Sequence, residues 1–173
     1  MRYKLAVFDM DGTILNTLED LADSTNYALK ANGLPERTID EVRRFVGNGI
    51  RLLIERAVPA DSEPELVDEV FETFKKYYKT HCAVKTRPYD GIKEVLVSLR
   101  KAGCLTAVVS NKADFAVQDL CKDYFDGLFG VFADSLPDNW GRLLLNRLLR
   151  AHGQNPDKLT VLERLAIVGK SGM

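Results

Sequence analysis

Four short apolar runs punctuate this 173-residue chain: KLAVFD at 4–9, CLTAVVSN at 104–111, LFGVFA at 128–133 and LAIVGKSGM at 165–173. Each apolar stretch is too short for a core helix and halts at a polar residue, a charge or a glycine. That is the pattern of a strand buried on both faces. Helical patterns stand between the later runs. IKEVLVSLRKAG begins at Ile92 and ends at Gly103 in the C′ position, a further helix starts at Asp114, and GRLLLNRLLRAHG from Gly141 is strongly amphipathic. Strand–helix alternation after residue 88 predicts an α/β fold: a Rossmann-like parallel sheet with crossover helices.

The segment 16–84 breaks this alternation. Leu18, Leu21, Ala22, Tyr27, Ala28 and Leu29 recur at helical spacing over 16–32, and ANGLP closes that helix. Thr38 with Glu41 forms a capping-box pattern for a second helix. Two more helical stretches, 50–57 and 63–80, follow GNG at 47–49. We read 16–84 as an inserted helical cap, with 1–15 and 85–173 forming the α/β core. RPYDG at 87–91 reads as turn chemistry.

Composition narrows the function. A net charge of −1, with 28% charged residues, gives no basic footprint for nucleic acid or an anionic membrane. No apolar stretch approaches the ~20 residues of a membrane span. The run after Arg2 and Lys4 is too short for a signal peptide, so a cytoplasmic protein is expected. Cys82, Cys104 and Cys121 lack CxxC spacing and read as reduced thiols in or near the core rather than metal ligands.

The first strand carries the chemistry. In parallel sheets, ligands sit at the carboxyl ends of strands. Asp9 stands at such an end, Asp11 follows after one residue, and Gly12 permits a sharp turn. Two close carboxylates repel, and a cation relieves that repulsion. One carboxylate is then free to attack while the other carries a proton for a leaving group.

DMDGTILNT at 9–17 resembles the nucleophile motif of the haloacid dehalogenase superfamily in its phosphatase form, and VVSNK at 108–112 resembles the second motif, a strand ending in Ser or Thr. VGNGIRLLIERA at 46–57 is similar to the cap segment of phosphoglycolate phosphatases, and RPYDGIKEVLVSLRKAG to the return into the core. The resemblance covers residues 3 to about 130. It implies a Mg²⁺-dependent phosphatase acting on a small phosphorylated metabolite such as phosphoglycolate. Asp9 would be the nucleophile that forms an aspartyl-phosphate, and Asp11 the acid and base. Mg²⁺ would be held by the Asp9 carboxylate and the Asp11 carbonyl. Ser110 and the Gly12 amide would hold the phosphoryl group.

Asn111 and Lys112 complete the substrate-binding set from that motif, Lys112 either neutralising phosphate or being a surface lysine at a helix start. Gly47, Asn48 and Gly49 either bring backbone amides to a substrate from the cap side or make a helix–helix turn. Arg51 either meets a substrate carboxylate or lies on a solvated helix face.

From residue 131 the pattern departs from the family. The motif lysine is missing across 123–156, where Arg142 is the candidate substitute, and Lys170 stands where an acidic Mg²⁺ ligand is expected. Those departures keep three alternatives open: a catalytically impaired relative, a phosphosugar mutase or pyrophosphatase of the same superfamily, and a truncated or frameshifted C-terminal part. An uncovered sheet edge would leave room for a homodimer.

Overall fold

The computed structural model describes residues 5–110, 112, 114–129, 131–133 and 165–168. The expectations placed on Asn111, Arg142, Lys170 and the amphipathic stretch from Gly141 lie outside the described residues.

Among the described residues, four strands form one parallel sheet in the order β5-β4-β1-β6: β1 Leu5–Phe8, β4 Leu105–Val109, β5 Val131–Ala133 and β6 Leu165–Val168. β1 is fully buried and paired on both sides, Phe8 standing between Val108 and Val168. A strand so placed has no solvent face, so Leu5–Phe8 is apolar at every position. The chain runs outward from β1 through β4 to β5 and returns on the other side as β6. The strand order thus reverses at β1, and parallel sheets leave a crevice at such a reversal.

The intervening helices are α1 Leu18–Ala31, α2 Ile39–Phe45, α3 Ile50–Ala57, α4 Pro64–His81, α5 Ile92–Lys101 and α6 Asp114–Phe125. Local chemistry sets several ends. Thr38 Oγ1 accepts the Glu41 amide, and the Glu41 side chain accepts the Thr38 amide, so the expected capping box is present. Pro64 opens α4, where its missing N–H costs nothing. α5 ends in a Schellman pair: Gly103, at φ +74°, donates to the Arg100 carbonyl and Cys104 to that of Leu99, both at 2.9 Å.

Two apolar clusters result. One gathers α1–α4 around Leu29, Ile54, Phe74 and Tyr78; the other packs β1 and β4 against Leu96, Leu120 and Phe125. Cys82, Cys104 and Cys121 are all buried. No helix among the described residues is long and apolar enough to cross a membrane.

The chain passes between the clusters twice, and these passages pair as a two-stranded antiparallel sheet: β2 Leu15–Asn16 with β3 Arg87–Pro88. The sequence reading misses it, taking 87–88 as turn and starting the first helix at residue 16. Each strand is two residues long and forms only because its distant partner arrives, so neither leaves a local pattern.

Candidate active site

Beyond Phe8 the chain folds into a tight turn. The amides of Thr13, Ile14 and Leu15 all point at the Met10 carbonyl, at 3.1–3.2 Å. Gly12 occupies φ +74° with open space where a Cβ would stand, so its requirement is backbone conformation rather than close approach. Its amide donates to the Leu15 carbonyl at 2.9 Å. In this structure the turn itself takes the donor that the resemblance assigns to a phosphoryl oxygen.

Asp9, Asp11, Ser110 and Lys112 line one small chamber, together with Gly47 and Gly49 from the loop between α2 and α3. Its volume of about 40 Å³ admits a few waters or a phosphoryl-sized group, not a whole metabolite. Asp9 and Asp11 also face a larger outer cleft shared with Gly12, Thr17, Arg43, Arg44 and Tyr89. Asn48 is exposed and lines neither space. Arg51 bonds Glu55 at 2.7 Å and pairs with Asp68, lining neither cavity; the solvated helix face is its place.

The two aspartates sit in different electrostatic settings. Burial pushes the Asp9 carboxyl up to about 6, with the Asp11 charge adding to it, against the opposing pull of the Met10 amide and of Lys112. The Met10 amide donates to Asp9 Oδ1 at 2.7 Å. Asp11 Oδ1 instead accepts two bonds, from Thr17 Oγ1 at 2.7 Å and from the Lys112 ammonium at 3.0 Å.

Lys112 is no surface lysine. Its side chain is 2% exposed, and its ammonium also donates to the hydroxyl of Tyr78. Burial works against that charge, but Asp11 and Tyr78 outweigh it and hold the ammonium above the ordinary lysine range. Its backbone amide donates to Ser110 Oγ at 3.3 Å, fixing the hydroxyl beside the carboxylates.

The sequence reading misses two residues of this arrangement. Thr17 flanks α1 at the N-cap position, yet it makes no cap bond because its hydroxyl goes to Asp11. A Thr closing the motif DMDGTILNT is the signal that could have found it. Tyr78 arrives from α4, and no local pattern marks it out from its tyrosine neighbour Tyr77.

The oxygen donors at the end of β1 suit a hard cation in kind, and the raised Asp9 carboxyl is a group whose anion a cation would stabilise. Among the described residues no group of three or more His, Cys, Asp or Glu is placed to hold a metal ion.

A parallel sheet reversing at β1, with paired aspartates at its carboxyl end and a strand-end serine beside them, defines an α/β scaffold with a polar site at its strand ends. The chain belongs to the haloacid dehalogenase-like hydrolase family, whose model matches residues 6–129. It is 40% identical over 112 residues to the N-acetylmuramic acid 6-phosphate phosphatase of Pseudomonas aeruginosa, covering 65% of this chain and 50% of that protein. To the phosphoglycolate phosphatase of Agrobacterium fabrum it is 34% identical over 178 residues, covering 96% of this chain and 72% of that protein. The chain thus spans about half the length of the first relative and 72% of the second. A crystal structure of a predicted phosphoglycolate phosphatase from Haemophilus somnus superposes with a TM-score of 0.79 at 28% identity, over 96% of this chain and 76% of that one.

Proposed function

We propose that the protein is a Mg²⁺-dependent phosphomonoesterase of small phosphorylated metabolites, working in the cytoplasm through an aspartyl-phosphate on Asp9. One observation carries the reading: Asp9, Asp11, Ser110 and Lys112 face one phosphoryl-sized chamber at the end of β1. A carboxylate oxygen of Asp9 attacks phosphorus while Asp11, protonated, delivers its proton to the departing alkoxide. Water then attacks the aspartyl-phosphate, losing its proton to Asp11 and releasing phosphate and free Asp9. Ser110 donates to a phosphoryl oxygen, and the buried ammonium of Lys112 offsets the phosphoryl charge. Mg²⁺, held by the Asp9 carboxylate and the Asp11 carbonyl, would supply the positive charge that keeps Asp9 ionised and the phosphoryl oxygens neutralised.

The glycine loop Gly47–Gly49 faces this chamber from the cap, so substrate choice falls to the cap and the outer cleft. Phosphoglycolate is the first substrate to try, on the strength of the Agrobacterium and Haemophilus likenesses. Phosphate release from phosphoglycolate and from an aryl phosphate, with Mg²⁺ present, tests the reading against Asp9→Asn. A loss of about 10³-fold or more is expected on removing the nucleophile. Activity that survives the substitution rejects the covalent route.

A further inference from the structure

Tyr78 belongs to the apolar cluster of the cap. It is fully buried there and stacked on Phe74, with ring centroids 5.0 Å apart. Its hydroxyl, however, reaches out of that cluster and accepts from the ammonium of Lys112, which follows β4. The same ammonium donates to Asp11 Oδ1 at 3.0 Å, and Asp11 Oδ1 accepts from Thr17 at the head of α1. A continuous polar chain therefore runs Tyr78–Lys112–Asp11–Thr17, beginning and ending on the helical layer and passing through the aspartate pair.

Lys112 is nearly sealed from water, so it depends on its bonded partners. A buried ammonium that loses a partner keeps its desolvation cost and must move or re-pair. Phe74 and the rest of the cluster hold the Tyr78 ring by packing alone, which leaves its oxygen free to serve Lys112.

We infer that Tyr78 is a positioning residue: its hydroxyl holds Lys112 on Asp11, so the setting of both groups depends on α4 being seated against the core. The contact stands without the hydrolase reading; its consequence for turnover rests on that reading.

Tyr78→Phe tests this, because it keeps the ring and removes only the hydroxyl. The readout is amide hydrogen exchange by NMR on the full chain. The Lys112 amide, bonded to Ser110 Oγ, is expected to exchange about tenfold faster, while the Leu21 and Leu53 amides in α1 and α3 stay within about twofold of the parent. An unchanged Lys112 amide overturns the inference. So does acceleration spread equally through α1 and α3, which would mark Tyr78 as packing alone.

Phosphate release by the parent is measured beside this. An inactive parent with a loosened Lys112 amide removes the hydrolase reading and leaves the positioning role standing. An active parent with an unaltered amide does the reverse. In an active parent the variant's kcat is expected to fall about tenfold with KM within about twofold; unchanged kcat contradicts the role in turnover.

Discussion

The hollow at the end of β1 and the junction where the chain re-enters the core each hold a carboxylate, and they treat it in opposite ways. At the junction, Asp20 is 2% exposed and accepts the amides of Lys85, at 2.9 and 3.0 Å, and of Thr86, at 2.8 Å. Its oxygens close the polar groups of a linker that returns beside α1. Tyr124 adds a second tie there, donating to the Thr86 carbonyl at 2.6 Å. In the hollow, Asp9 has one local amide among the described residues, a like charge nearby and a carboxyl raised to about 6. A satisfied carboxylate holds structure together, whereas a raised carboxyl facing a chamber is a candidate for chemistry.

The largest contrast is in turnover. Asp9→Asn is expected to abolish phosphate release by about 10³-fold or more, whereas folded Asp20→Asn keeps it within about threefold. Comparable losses in both would erase the distinction between the two carboxylates. Next comes stability: Asp20→Ala leaves the Lys85 and Thr86 amides without an acceptor, and urea unfolding should show a loss of roughly 3 kcal/mol. A loss under about 0.5 kcal/mol would mean that the clamp holds nothing.

Asp9 behaves in the other direction. Its carboxyl is raised in the fold, so the proton favours folding. That stabilisation is fully present below pH 3.8 and is lost as pH rises through about 6. In chelator-treated protein at pH 8, Asp9→Asn should therefore raise stability, by about 1 kcal/mol after allowing for solvent screening of a half-open group. The variant should also lose the decline in stability that the parent shows between about pH 4 and 6. A destabilised Asp9→Asn would recast Asp9 as a structural carboxylate. The smallest effect is at the junction. Thr86 Oγ1 is buried without a hydrogen-bond partner among the described residues. Thr86→Val should be neutral or stabilising by about 0.5 kcal/mol, read as the shift in the urea midpoint; a loss above about 1 kcal/mol would reveal a hidden partner.

What the sequence disclosed followed from how local each signal is. Leu5–Phe8 is apolar because both its faces are covered, and its abrupt stop at Asp9 marks the strand end. Thr38 and Glu41 announce their cap across three residues, and the bounds Ile50–Ala57 follow from Gly49 and Pro59. The same locality explains the misses. β2 and β3 are far apart in sequence and exist only as a pair. Lys112 follows a strand end with nothing in its neighbours to say that it is sealed between Asp11 and Tyr78. Gly12 was rightly a turn residue, but which oxygen its amide meets is decided by the turn it makes. The aspartate pair was legible because its two members stand one residue apart at a strand end, whereas its bonds to Thr17 and Lys112 depend on how the chain folds back around it.

The proposed hydrolysis requires a covalent bond between Asp9 and phosphorus. Acid quench of the parent during turnover, followed by borohydride reduction and peptide mass spectrometry, tests that bond directly. Homoserine is expected at position 9, absent from Asp9→Asn and from protein reduced without substrate. Sustained phosphate release with position 9 unmodified, or reduction at another carboxylate, would contradict it.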